Sequence, residues 1–257
     1  MKKILAVLLA LMLVMAFAAC TEPEETPETP EENVETPVAS DADVEEPAVE
    51  PVKVMTHEEY IAAALDTEVV IETYVQAHQS WWDNKVTVYC QSPDGAYFLY
   101  ELACSEEDAA KLVPGTKIRV TGTKGAWAGE VEVMDGTFEF VEGDTYVAEA
   151  FDAIPLLFGT EEELIAHQNE YVSFEGMTVD SIEFKNGEPG DDIYVTLLYG
   201  GNQYNFCVEY YLTGTDTDVY KTVSSLEGGE MVNVKGYLYW YEGMNPHITS
   251  IEIVDAF

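Results

Sequence analysis

Basic residues are scarce in this chain. Its 257 residues include 11 Lys and Arg against 49 Asp and Glu, which gives a formal net charge of −38. The imbalance is not confined to one segment, because residues 55–257 alone hold 37 acidic and eight basic side chains. A field of this sign repels polyanions, and nucleic acids are bound non-specifically through Lys and Arg contacts to phosphate. The composition therefore disfavours nucleic acid as a partner and leaves cations and neutral ligands open.

The residue patterns of common catalytic and metal sites are also missing. The four histidines are scattered along the chain: His57, His78, His167 and His247. Their spacing assembles no Ser-His-Asp or Cys-His set, and no CxxC or His/Cys spacing indicates zinc. Acidic pairs such as Asp191-Asp192 lie at predicted turns without EF-hand spacing, so a solvated surface is favoured there and calcium is the alternative. The sequence thus predicts a non-enzymatic protein with no metal and no cofactor.

Four cysteines leave few choices for cross-linking. Cys90 and Cys104 lie on neighbouring predicted strands, so an oxidising compartment would permit a disulfide between them. Cys207 has no partner in its own part of the chain, and we expect it to be a small buried hydrophobic residue.

A signal sequence of the lipoprotein type is predicted at the N-terminus. Met1-Lys2-Lys3 is followed by sixteen apolar residues, Ile4–Ala19, which is short for a spanning helix and typical of a signal peptide. Ala18-Ala19-Cys20 resembles a bacterial lipobox, although Phe17 stands where leucine is usual. The resemblance implies removal of residues 1–19 and a diacylglycerol on Cys20 that anchors the protein to a membrane. An ordinary secretory signal is the alternative.

Residues 20–54 form a predicted disordered linker. The segment is rich in Pro, Glu and Thr and has no aromatic residue, so it cannot bury enough surface to offset its ordering entropy. Proline and repulsion between like charges favour an extended spacer. We expect it to hold the rest of the protein away from the membrane, on the cell surface or in the periplasm. A partner-binding acidic tail is the alternative.

The remaining chain contains an internal repeat. Thr56–Ala62 and Thr160–Ala166 each begin with Thr followed by acidic residues, which is typical of a helix N-cap. Gly115–Gly122 and Gly229–Gly236 are strand patterns bounded by glycine and lie 114 residues apart. Duplication of one domain explains both pairs.

Each repeat predicts the element order strand, strand, strand, helix, strand, strand. The first repeat has strands at Glu68–Ala77, Val86–Cys90, Tyr97–Leu102, Gly115–Gly122 and Glu130–Val141, with a helix at Ser105–Val113. The second has strands at Tyr171–Phe184, Ile193–Tyr199, Tyr204–Tyr210, Gly229–Gly236 and His247–Val254, with a helix at Asp218–Leu226. The turns Ser92–Gly95 and Gly200–Asn202 have hairpin chemistry.

This order, with the helix between the third and fourth strands, resembles the OB-fold, a five-stranded Greek-key barrel. More narrowly, it is similar to uncharacterised OB-fold domains of bacterial extracytoplasmic proteins that resemble tRNA-anticodon-binding domains. The expected fold is mainly β, with two tandem OB-like barrels at residues 55–147 and 148–257. The resemblance implies ligand binding on strands 2–3 and on the loops joining strands 1–2 and 4–5.

Aromatic residues mark the predicted ligand-binding loops. The candidates in or beside these loops, or on strand 3, are Trp81, Trp82, Trp127, Tyr97, Tyr100, Trp240 and Tyr241. Flat aromatic faces stack on sugars, bases or peptide side chains. The alternative is that these large rings plug the open ends of small barrels.

The predicted function is binding rather than catalysis. The sequence favours an extracytoplasmic adaptor lipoprotein whose ligand is a glycan, a cell-wall fragment, a peptide or a protein. Two alternatives stay open: binding of single-stranded nucleic acid by the OB domains, and a hydrolase or hydrolase accessory subunit.

Overall fold

A computed structural model describes residues 53–254. The predicted signal peptide, the predicted lipidation site Cys20 and all but the last two residues of the predicted linker lie outside these described residues. The described chain is mainly β-strand, and its two barrels belong to one compact unit. No helix in this part of the chain is both long and apolar enough to cross a membrane.

The first barrel closes on itself. Its elements are α1 (His57–Ala62), β1 (Glu68–His78), β2 (Lys85–Ser92), β3 (Gly95–Ala103), α2 (Glu106–Ala109), β4 (Lys117–Trp127) and β5 (Glu130–Phe140). The strand order is β1-β2-β3-β5-β4, with β1 and β4 paired to close the ring and with β3 parallel to β5. This order and the position of α2 confirm the predicted OB-type barrel.

The second barrel repeats this topology. Its elements are β6 (Phe151–Asp152), a 3₁₀ helix (Ile154–Phe158), α3 (Glu161–Ile165), β7 (Tyr171–Phe184), β8 (Ile193–Tyr199), β9 (Asn202–Val208), α4 (Tyr210–Thr213), α5 (Asp218–Ser224), β10 (Met231–Tyr237) and β11 (His247–Val254). The sheet order is β10-β11-β9-β8-β7-β6, and pairing of β10 with β7 closes five strands in the cyclic order of the first barrel. The short β6 adds to β7 in parallel.

Both predicted helix N-caps are confirmed. The Thr56 hydroxyl accepts a hydrogen bond from the Glu59 amide, and the Glu59 carboxylate accepts one from the Thr56 amide. Thr160 and Glu163 form the same reciprocal pair at α3. Each capping box satisfies amides that the first turn leaves without a helical partner.

Three apolar clusters hold the described chain together. Strand alternation sends residues such as Val86, Val88 and Leu99 into the core of the first barrel, and the second barrel has its own core around Phe174 and Phe206. A third cluster joins the barrels and contains Tyr89, Phe98 and Tyr237, with Ala77, Tyr171, Leu212 and Tyr239 packed against it. The two barrels are therefore docked against each other through an aromatic contact.

Several predicted elements differ in their ends. The fourth strand of the first barrel, predicted to end at Gly122, continues to Trp127. The strand predicted to reach Tyr210 stops at Val208, because the Glu209 side chain accepts a hydrogen bond from the Leu212 amide and begins α4. The helix predicted over Ser105–Val113 is regular only to Ala109 and continues as turns.

The possible disulfide between Cys90 and Cys104 is not made in the structure, where both thiols are free and buried. The strand register explains this. Cys90 lies opposite Tyr97, whereas the Cys104 amide bonds to the carbonyl of Asn84, six residues earlier on the neighbouring chain segment. Six residues of strand span about 20 Å, and a disulfide needs Cα atoms within about 7 Å.

Candidate functional site

A cleft of about 920 Å³ lies between the two barrels. One wall comes from the outer face of the first barrel, where Phe98 and Tyr100 of β3 lie beside Glu132 and Met134 of β5. The other wall comes from β8, β9 and the loop joining β10 to β11 in the second barrel. The second barrel thus presents to the cleft the strand 2–3 surface on which OB-folds bind ligands, whereas the first barrel presents its third and fifth strands.

Hydrogen bonds between the barrels border the cleft. The Glu130 carboxylate of β5 accepts bonds from the Asn169 side-chain amide and from the Trp240 backbone amide. The Tyr89 hydroxyl and Nδ1 of His247 are 2.6 Å apart. These contacts are buried, where unpaired polar groups are costly, so they fix how the two walls face each other.

Seven Phe, Tyr and Trp residues line the cleft: Phe98, Tyr100, Trp127, Tyr194, Phe206, Tyr239 and Tyr241. Tyr239 lies at the junction, with its ring 5.1 Å from Phe98 and stacked 4.3 Å from His247. Trp127 and Tyr241 are 63% and 50% exposed, so their faces are available to a ligand. The walls therefore combine a buried aromatic base with exposed rings.

Five carboxylates line the same cleft: Glu132, Glu183, Asp192, Glu209 and Glu242. No Lys or Arg joins them among the lining residues that the structure describes. Lys185 pairs with Asp192 at 2.9 Å, and none of the four glutamates forms an ion pair within the described chain. The cleft is thus both aromatic and acidic.

Burial changes the titration of two glutamates and a histidine that line the cleft. It raises the pKa of Glu132, and it raises the pKa of Glu209 to about 7, with a further contribution from the Asp192 charge. Burial also lowers the pKa of His247 to about 3. His247 is therefore neutral at pH 7 and adds no positive charge to the cleft.

The structure brings three of the seven predicted ligand-binding residues into the cleft: Tyr100, Trp127 and Tyr241. Tyr97 points into the first barrel, where its ring packs against His57 and Tyr60. Trp240 is 3% exposed in the core of the second barrel. These two rings fill the barrels, as the alternative interpretation of the aromatic residues expects.

The adjacent tryptophans Trp81 and Trp82 separate. Trp81 packs on the core of the first barrel and donates its indole N–H to the carbonyl of Cys104. Trp82 is 64% exposed and lines a different groove of about 220 Å³ with Ser80 and Tyr211. Trp82 does not line the inter-domain cleft.

Sequence reasoning missed Phe98, Glu132 and Tyr194. The alternation of Glu130, Glu132 and Met134 along β5 places them on one outer face, and Tyr194 has the same outward position on β8. An outward polar position normally indicates solvent. Only the docking of the second barrel makes these positions part of a cleft.

The basic side chains of the first barrel are all engaged. Lys85, Lys111, Lys117 and Arg119 pair with neighbouring carboxylates. Lys124 is buried and donates three hydrogen bonds to carbonyl oxygens at the end of α1. None of them forms a free basic surface on this barrel.

Within residues 53–254, no group of three or more His, Cys, Asp or Glu side chains is arranged to hold a metal ion. The acidic pair Asp191-Asp192 instead bonds to Lys185.

No protein-family model matches the chain, and no curated protein matches it. Similar solved structures include asparaginyl-tRNA synthetase from Pyrococcus horikoshii complexed with asparaginyl-adenylate, at 16% identity and a TM-score of 0.28; the match covers 34% of this chain and 20% of that one. A murine DNA binding protein bound with ds DNA is 11% identical, with 73% and 96% of the two chains covered and a TM-score of 0.35. The p204 HINb domain is 13% identical, with 75% and 100% covered and a TM-score of 0.35. Likeness at this level assigns no function to this chain.

Proposed function

We propose that this protein is a non-enzymatic binding or adaptor lipoprotein, anchored through Cys20 outside the cytoplasmic membrane, and that its inter-domain cleft is the ligand-binding site. One observation carries the proposal: the two OB-type barrels enclose a cleft of about 920 Å³ that is lined by seven Phe, Tyr and Trp residues. Small-molecule sites have volumes of about 300–1,000 Å³ and combine apolar walls with a few polar groups.

The exposed rings favour a ligand with flat or ring-shaped parts. Trp127 and Tyr241 present aromatic faces at the rim, and such faces stack on sugar rings or peptide side chains. A glycan, a cell-wall fragment or a peptide fits this chemistry. Phosphate-rich strands do not, because the described lining has carboxylates and lacks Lys and Arg.

A binding screen on the purified full-length chain tests the site. Oligosaccharides, peptidoglycan fragments, peptides and single-stranded DNA would be added while the melting temperature and tryptophan fluorescence are recorded. A ligand at 100 times its Kd adds about 2.7 kcal/mol of stability, which a melting curve resolves. We expect binding by at least one ring-bearing ligand, and we expect Trp127→Ala with Tyr241→Ala to weaken it by about tenfold or more, the scale of one or two lost stacking contacts.

Trp82→Ala is the matched control, because Trp82 is as exposed as Trp127 but lies in the other groove. It should leave the affinity unchanged. The assignment of the cleft would be contradicted if the Trp82 and Trp127 variants lost equal affinity. It would also be contradicted if ligand affinity did not change in the Trp127 and Tyr241 variants.

A further inference from the structure

We propose that the cleft selects organic cations, and that it holds an ammonium or quaternary ammonium group between Glu132, Glu209 and the aromatic wall around Tyr239. This inference rests on the proposed binding function and names its ligand class. It goes further because ring stacking alone would accept neutral ligands equally well.

Glu132 is the first observation. Its side chain is only 5% exposed, yet it lines the cleft. Burial alone raises its pKa, and no Lys, Arg or hydrogen-bond donor within the described chain offsets that effect. A buried carboxylate without a partner is costly unless a cation or donor reaches it. The open side of Glu132 is the cleft, so a ligand in the cleft is placed to supply that partner.

Glu209 is a second acid that lines the cleft. It follows β9 of the second barrel, and one carboxylate oxygen already accepts the Leu212 amide at 2.7 Å. Glu132, Glu209 and Tyr239 line the same cleft. Burial raises the pKa of the Tyr239 phenol, and the charges of Glu130, Glu132 and Glu209 add to that shift. A cation beside Tyr239 would interact with an acid from each barrel.

The aromatic wall supplies the other half of the recognition. Aromatic faces carry negative potential and attract ammonium groups, and cages of such rings bind quaternary ammonium ligands. Phe98, Tyr100 and Tyr239 bring rings to the side of the cleft that carries Glu132. Carboxylates and ring faces both favour an organic cation, whereas a hard metal ion would gain nothing from the rings.

The other titratable groups do not oppose a cation. His247, stacked on Tyr239, is neutral because burial lowers its pKa to about 3. Asp192 is already paired with Lys185, and Glu183 and Glu242 are exposed acids at the rim. Lys185 does not line the cleft, and it forms ion pairs with Asp191 and Asp192. Its charge acts on Glu209, but burial outweighs it.

Choline and its uncharged carbon isostere, 3,3-dimethylbutan-1-ol, separate charge from shape. Calorimetric titration of the full-length protein at pH 8 should show choline binding about tenfold or more tighter than the isostere, because only choline engages the carboxylates and ring faces electrostatically. Glu132→Gln keeps the size of the side chain and removes its charge. In that variant we expect choline affinity to fall about tenfold, with the isostere unaffected.

Glu175→Gln is the matched control, since Glu175 is an exposed glutamate of β7 outside the cleft. It should bind choline like the native protein. Competition with calcium ions is a second test. Displacement of choline by Ca²⁺ at equal concentration would overturn the organic-cation proposal in favour of a metal site. Equal binding of choline and its isostere, or no binding of choline, would also overturn it.

The two proposals fail differently. If ring-bearing neutral ligands bind and depend on Trp127 and Tyr241 while choline does not bind, the cleft function stands and the cation preference is wrong. If no ring-bearing ligand depends on Trp127 and Tyr241 and no cation depends on Glu132, both are wrong.

Discussion

The buried carboxyl group of Glu130 makes the stability of this protein depend on pH. Glu130 is fully buried between the barrels, where it accepts bonds from Asn169 and from the Trp240 amide. Burial raises its pKa to about 8, and the nearby Glu132 charge adds to the shift. The folded chain therefore keeps a proton on Glu130 that the unfolded chain releases above about pH 4.5.

The raised pKa of Glu130 makes the folded protein less stable as pH rises. The folded state holds the Glu130 proton more tightly than the unfolded state does, so this contribution to stability is complete below about pH 4.5 and is lost as pH rises through about 8. We expect Glu130→Gln to reduce the fall in unfolding free energy between pH 5 and pH 8. The glutamine amide is neutral at both pH values. Oδ1 of Asn169 has no hydrogen-bond partner in the native protein. A 180° flip of the Asn169 side-chain amide would let this oxygen accept a hydrogen bond from the glutamine.

Urea unfolding of both proteins at the two pH values measures this change. Glu175→Gln, at an exposed site, should keep the native difference between pH 5 and pH 8. An unchanged difference in Glu130→Gln would mean that Glu130 is already ionised in the folded protein.

The β4–β5 hairpin is the element that joins the barrels most directly. Its turn, Ala128-Gly129, has positive φ at both residues, as a tight two-residue hairpin requires. The Glu242 amide donates to the Ala128 carbonyl, and the Gln168 side chain donates to that of Gly129. A loop that usually touches ligand in an OB-fold here docks on the neighbouring barrel, which leaves Trp127 at the rim of the cleft.

Gly129 permits this docking. A Cβ at position 129 would lie 2.6 Å from Cδ1 of Trp240, so we expect Gly129→Ala to lower the melting temperature by pushing the hairpin away from the second barrel. Gly229→Ala is the matched control, because its φ of +95° nearly equals the +96° of Gly129 and its Cβ would meet open space. Both variants carry the backbone strain, and only Gly129→Ala adds the clash. Equal melting temperatures would show that the contact with Trp240 does not matter.

At the scale of the whole molecule, the aromatic cluster makes the barrels one structure. Tyr89 of the first barrel stacks on Tyr237 of the second with ring centroids 4.7 Å apart and is fully buried. We expect the native protein to unfold in one calorimetric transition, since removing either barrel would expose this cluster. Tyr89→Ala should cost about 3–5 kcal/mol, the range for large aromatic side chains, and should separate the transition into two. Two resolved transitions in the native protein would show that the barrels are independent.

The sequence predicts the strand order of each barrel but not the contact between the two barrels. Period-two alternation in segments such as Ile193–Tyr199 and the turn residues around Gly95 determine strands locally, so the OB order could be read from the chain. The cleft depends on contacts between residues far apart in sequence. Glu132 has the pattern of a solvent-facing strand residue, and nothing local to β5 indicates that a second barrel covers it.

Because the two barrels share one cleft, ligand affinity and barrel docking are thermodynamically coupled. A ligand that touches both walls adds its binding free energy to the contact between the barrels, and by reciprocity anything that loosens that contact weakens the ligand. Substitutions at Tyr89 or Gly129, which do not line the cleft, would therefore act on affinity from a distance. A bound ligand would in turn make the two barrels harder to pull apart by force.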